Sequence, residues 1–250
     1  MMTRRAWILI SLLGSLAMIN TALGDVGPIK RTAEGHPDFT GIWQPLTTAE
    51  WDLEPHGARK DAPPGLGVVV GGSIPYQPWA LEQRKKNFDN RATLDPRNKG
   101  YMLGVPRVAY NAAPFQILQQ AKHLTLVYEY QNSVRTIYTN GSQHPPGHID
   151  WWLGDSRGHW EGDTLVSDVL HQHPDTWLDR SGNFHSEDLH VVERYTPLGP
   201  DHIRYEATLD DPKVFTRPWS INLILYRHKE ENLQLLEYYP HTFDSEQYYP

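Results

Sequence analysis

Residues 189–209 read Leu189-His190-Val191-Val192-Glu193-Arg194-Tyr195-Thr196, then Pro197-Leu198-Gly199-Pro200-Asp201, then His202-Ile203-Arg204-Tyr205-Glu206-Ala207-Thr208-Leu209. In the second run Ile203, Tyr205, Ala207 and Leu209 alternate with Arg204, Glu206 and Thr208. That is the period-two pattern of a strand with one buried face, and the Pro/Gly segment between the runs is turn chemistry. The pattern continues outward. Residues 219–227 put Trp219, Ile221, Leu223 and Leu225 on one face and are expected to meet 233–239 across Lys229-Glu230-Glu231. Upstream, 165–170 pairs with 159–161 across Gly162-Asp163, and 115–119, 124–130 and 134–139 form further runs, with a turn at Gln131-Asn132. About nine strands with hairpin spacing predict an antiparallel up-and-down meander. Closure into a barrel would remove its exposed edges.

Residues 25–113 differ. Pro37, Pro45, Pro55, Pro63, Pro64, Gly65, Gly67, Gly71, Gly72, Pro75 and Pro78 break up regular structure, so this part reads as an irregular N-terminal wrap. Two elements stand out in it. One is a strand over residues 39–44. The other is a helix over residues 78–91, started by Pro78 and anchored by Trp79, Leu81 and Phe88. The domain plan is therefore 1–24 leader, 25–113 wrap and 114–250 barrel, the last two forming one globular unit.

The leader follows from Arg4 and Arg5, the uncharged run from Ala6 to Ile19, and Ala22-Leu23-Gly24. This is a secretory signal peptide cut after Gly24, too short in its apolar run to span a bilayer. Thr3-Arg4-Arg5-Ala6-Trp7-Ile8 also resembles a twin-arginine signal. The expected location is periplasmic or secreted, with no membrane association after cleavage. Net charge is −7, or −9 once Arg4 and Arg5 leave, and no long Lys/Arg run exists, so nucleic acid is an unsuitable partner. The chain has no cysteine, which excludes disulfides, thiolate metal sites and a Cys nucleophile. No phosphate loop, Rossmann fingerprint or Gly-x-Ser-x-Gly elbow occurs.

Three stretches together resemble a family of uncharacterised secreted bacterial proteins: His36-Pro37-Asp38-Phe39-Thr40-Gly41-Ile42-Trp43, Gly154-Asp155-Ser156-Arg157-Gly158-His159-Trp160-Glu161-Gly162-Asp163-Thr164-Leu165-Val166, and Asp211-Pro212-Lys213-Val214-Phe215-Thr216-Arg217-Pro218-Trp219. Gly104-Val105-Pro106-Arg107 and Pro114-Phe115-Gln116-Ile117 fit as well. The family usually carries a cysteine before the Gly-Val-Pro-Arg stretch, where this chain has Lys99-Gly100-Tyr101. The resemblance covers nearly the whole mature chain and implies export, but no particular activity. Separately, Gly41-Ile42-Trp43 resembles the first-strand Gly-x-Trp of lipocalins, which agrees with a lipocalin-like barrel.

Seven histidines crowd between Gly141 and His190, several on predicted loops: His144, His148, His159, His171, His173, His185 and His190. Loops gathered at one end of a barrel are where binding groups concentrate. Three readings stand. The histidines are solvated or structural. Or they bind a divalent metal with Asp150 or Asp188, although only His171-x-His173 has a ligand-like spacing and no HExxH occurs. Or a histidine oriented by a carboxylate performs acid–base chemistry without a cofactor, the carboxylates on these loops being Asp150, Asp155, Asp175, Asp179 and Asp188. On the third reading the catalytic candidates are His185, with His144 opposite it and Asp188 beside it, and Glu193. Glu193 shares the parity of Leu189, Val191 and Tyr195. On an apolar face it must be paired or functional, unless a bulge turns it outward. Tyr128, Trp151, Trp152, Tyr205 and Arg217 are the candidate ligand-binding residues, lining a pocket for a flat organic molecule or else packing a filled core. The functions that fit are a lyase, dehydratase or isomerase acting on an aromatic or polycyclic hydroxy or keto compound, a lipocalin-like carrier without turnover, or a metal-dependent hydrolase.

Overall fold

A computed structural model describes residues 27–238; residues 1–26, with the expected signal peptide, and Tyr239 onward lie outside it. Nine strands close into one barrel in sequence order. They are β1 (Gly41–Pro45), β2 (Phe115–Gln120), β3 (His123–Tyr128), β4 (Val134–Tyr138), β5 (Asp155–Glu161), β6 (Thr164–Leu170), β7 (His190–Pro197), β8 (His202–Asp210) and β9 (Trp219–Arg227). The fold is the mostly β, lipocalin-like closed barrel expected. The period-two reading places its faces correctly, with Tyr205, Ile221 and Leu223 all buried.

Three details depart from the expected meander. First, β4 and β5 are parallel, through two register pairs only, Ile137 with Ser156 and Tyr138 with Arg157. A parallel pair needs a crossover that returns to the starting end. Residues 139–154 supply it without a helix. Second, β1 belongs to the barrel, although it lies in the stretch read as wrap. It joins β2 and closes the ring on β9 through Trp43–Arg227, Gln44–Tyr226 and Pro45–Leu225. Third, residues 233–238 form no strand, only a single bridge between Tyr130 and Tyr238. The β9 edge they were expected to pair with is occupied by β1.

The wrap packs on the barrel through one continuous core. Phe39, Trp43, Leu53, Val105, Val108 and Tyr110 are buried with the barrel side chains. Two large buried donors there are satisfied. Trp43 Nε1 donates to Phe39 O at 2.8 Å, and Tyr110 Oη to Leu178 O at 2.6 Å. The expected helix forms as α1 (Pro78–Asp89), followed by the short α2 (Arg91–Leu94). Its anchors differ from expectation. Trp79 and Leu81 are exposed, and α1 docks through Ala80 and through Asn87, which donates to Gly182 O. Among the described residues no helix is long and apolar enough to cross a membrane.

Candidate functional site

The inner faces of β3, β4, β5, β6, β7 and β8 bring a polar cluster into the middle of the barrel. Glu193 on β7 has no exposed surface and Arg135 on β4 almost none. Arg135 Nη1 donates to Glu193 Oε1 at 3.0 Å, and Nη2 donates to Oε2. Arg135 also donates to Ser156 Oγ at 2.9 Å and Ser167 Oγ at 3.2 Å. Tyr205 Oη at 2.8 Å and Tyr195 Oη at 3.1 Å donate to Glu193 Oε1. Burial and the neighbouring Glu193 charge push both phenols well above their ordinary range. The Tyr128 hydroxyl is buried close by without a hydrogen-bond partner. The apolar-face placement of Glu193 therefore holds, and its charge is matched by Arg135. Tyr128, Tyr205 and Glu193 belong to a filled, hydrogen-bonded interior.

A second arrangement lies on the outer wall, beneath the 139–154 crossover. Asp155 and Arg157 on β5, Asp168 on β6 and His190 on β7 lie close together on the outer face, where Arg157 and Asp168 are register partners. His144, from the crossover, docks onto this group. Its Nδ1 donates to Asp155 Oδ2 at 2.6 Å. Arg157 adds two bonds to the same carboxylate, at 2.6 and 2.7 Å. Burial pushes the Asp155 carboxyl up, but the bonds from Arg157 and His144 outweigh it and hold it below the usual carboxylate range. The ring of His144 is thus oriented by Asp155 through Nδ1. Its Nε2 is buried, has no hydrogen-bond partner and lies 3.5 Å from Asp168 Oδ1. Asp168 itself accepts from His190 Nε2 at 2.8 Å.

Beside this dyad the short β4–β5 seam leaves a cleft of about 440 Å³, lined by Met102, Tyr138, Trp151, Trp152, Leu153 and Asp155 among others. The end of the crossover is pinned to the chain after β6. Trp151 N donates to His171 O, and His173 N to Trp151 O, both at 3.0 Å. Gly154 adopts φ of +65°, and a Cβ there would meet Val169 at 2.8 Å, so this turn needs glycine. Trp152 stacks on His173 with ring centres 4.2 Å apart, and Arg157 lies 4.7 Å over the Tyr138 ring.

Other expected site residues sit elsewhere. His185 is buried between the wrap and the barrel. Its Nδ1 donates to Ser186 O at 2.8 Å, and its Nε2 lies 2.7 Å from Thr176 Oγ1. Burial lowers its affinity for a proton. Both nitrogens are engaged by neutral partners, so the expected grouping of His185 with His144 and Asp188 does not form. Asp188 is half exposed and pairs with Lys213 at 2.9 Å. Arg217 is exposed and, among the described residues, bonds only to Pro218 O. Among the described residues no three or more His, Asp or Glu side chains are arranged to hold a metal ion. Two residues of consequence were missed. Arg135 shares the parity of buried Ile137, which is the signal that would have matched it to Glu193. Asp155 was one of five candidate carboxylates, with nothing in the spacing to select it. No family model, curated protein or solved structure matches the chain.

Proposed function

We propose that this is an exported small-molecule enzyme working by cofactor-independent acid–base chemistry, with His144 rather than His185 as the proton-transfer residue. One observation carries the reading: His144 is oriented by the Asp155 carboxylate through Nδ1, while its buried Nε2 forms no hydrogen bond and lies 3.5 Å from Asp168, beside an aromatic cleft that Asp155 lines. Histidine is the side chain suited by its chemistry to take and return a proton in acid–base catalysis. Asp155 orients the ring, and Arg157 keeps Asp155 charged. Trp151, Trp152 and Tyr138 offer ring faces for a flat substrate, an aromatic or polycyclic hydroxy or keto compound. The chemistry is of lyase, dehydratase or isomerase type. Nε2 is covered, so proton exchange requires the crossover to lift. Gly141 and Gly147, both at positive φ with open space around them, are its natural pivots. The signal-peptide features of residues 1–24 and the three sequence motifs support a periplasmic or secreted location and kinship with the secreted family.

The covered Nε2 also favours a second reading, a lipocalin-like carrier without turnover. One experiment separates the two. Wild-type protein is assayed on a panel of hydroxy and keto aromatics, alongside His144→Ala and Asp155→Asn. The enzyme reading expects turnover to fall by about 10² to 10⁴ in His144→Ala, with substrate binding retained. Full activity in that variant removes His144 from the mechanism. Tight binding by the wild type without turnover of any compound establishes the carrier.

A further inference from the structure

On the wrap, away from the His144 cleft, residues 50–61 meet the C-terminal end of α1, α2 and the loop around Arg180. They enclose a polar cavity of about 510 Å³, lined by Trp51, Arg59, Asp89, Arg91, Asn98 and Arg180 among others. The arginines here are not equally committed. Arg91 Nε holds Asp61 at 2.6 Å, and its Nη1 donates to Phe88 O. Arg59 bonds Asp52 at 3.1 Å and Ser181 at 2.9 Å, and its Nε lies 3.7 Å from Asp61. The Arg180 side chain forms no hydrogen bond and no ion pair among the described residues. Its guanidinium lies 5.8 Å over the Trp51 ring, while its backbone is fixed by donation to Glu50 O at 2.8 Å.

Three of the acids near Arg180 are engaged by other cations. Asp95 is bonded twice by Arg107, at 3.1 and 3.2 Å, and also accepts from Arg97 N. Asp61 serves Arg91, and Glu50 lies 2.7 Å from Arg97. Asp61, Asp89 and Asp95 line the cavity too, yet the half-buried Arg180 guanidinium pairs directly with none of them, and its fork geometry matches a carboxylate. Burial and the charge of Arg97 hold Arg180 below its ordinary range, as expected of a cation lacking its partner.

We propose that this cavity binds a small organic monocarboxylate, whose oxygens pair with Arg180 and whose planar apolar body lies against Trp51. Asp89 also lines the cavity, exposed and without a cation partner among the described residues, so it repels a second negative charge and favours a monoanion over a phosphate dianion. The site is independent of the His144 reading, and neither depends on the other.

Isothermal titration with benzoate, its neutral isostere benzamide and inorganic phosphate, at matched ionic strength, tests it. Benzoate is expected to bind, with benzamide and phosphate at least about tenfold weaker. Arg180→Gln should weaken benzoate by about 10- to 100-fold, the worth of a charge-assisted bond. Its melting temperature should hold, because the Arg180 side chain makes no bond within the protein. Arg180→Lys keeps the charge without the fork and should fall between the two. Wild-type affinity for benzoate in Arg180→Gln, phosphate binding as tightly as benzoate, or no heat up to about 20 mM benzoate would each overturn the proposal.

Discussion

Replacing Glu193 by Gln leaves the volume of the barrel interior almost unchanged and removes one negative charge. Arg135 is then a buried cation without a counter-ion, since its other partners are the neutral Ser156 and Ser167 hydroxyls. It does not escape by losing its proton, because guanidinium ionises far above any working pH. Removing one partner of a buried pair costs about 3–5 kcal/mol. A domain of this kind is stable by only about 5–15 kcal/mol, so Glu193→Gln should shift the urea midpoint far toward zero. The loss should be the same at low and high salt, because the pair is shielded from solvent ions. The double variant Arg135→Met, Glu193→Met removes both charges and should recover part of the loss. It does not recover all of it, because the Tyr195 and Tyr205 hydroxyls lose their acceptor, at about 1–3 kcal/mol for each buried group left unbonded. Urea unfolding followed by tryptophan fluorescence and far-UV circular dichroism measures all three proteins. A Glu193→Gln protein within about 0.5 kcal/mol of wild type would refute the buried-pair reasoning, since that is the range of surface changes. Strict additivity of the two single variants would refute their coupling.

Two more outcomes concern stability. Ile221→Ala, at a fully buried position on β9, should cost about 2–5 kcal/mol by urea titration; a change in the surface range would put the inner-face assignment in error. Burial depresses the proton affinity of His185 in the folded state, so its contribution to stability is present above its ordinary value of 6.5 and is lost as pH falls through the lowered folded value. Between about pH 7 and pH 5, His185→Gln should therefore lose less stability than wild type, and parallel pH profiles would contradict this.

The barrel was legible because β3, β7, β8 and β9 each carry their own alternation, and alternation is a local property. Ile203, Tyr205, Ala207 and Leu209 face inward whatever their neighbours are. Pairing is not local. Nothing within 139–154 announces that this stretch returns to the starting end and makes β4 and β5 parallel. Nothing within 39–44 states that this segment takes the free edge of β9. Residues 233–238 kept a plausible strand composition but found no edge left to join. The site divides the same way. Glu193 was recognisable as a charge on an apolar face, whereas its pairing with Arg135 required knowing that β4 and β7 face each other across the barrel. His185 drew attention by crowding among histidines. Its neutral partners, Thr176 and Ser186 O, are a matter of tertiary packing that no spacing rule encodes.

The ring has three short seams, three register pairs each between β1 and β2 and between β1 and β9, and two between β4 and β5. Its longest run of well-paired strands is β5 to β9, each antiparallel to the next. Pairing of successive strands closes smaller loops and forms early; the seam between β1 and β9 joins residues 180 to 184 positions apart and carries the largest loop-closure entropy among the strand pairs. Folding should therefore condense the C-terminal hairpins first and complete the cylinder last. Slow steps in refolding would report on Trp43 and Arg227, where the two ends of the barrel meet.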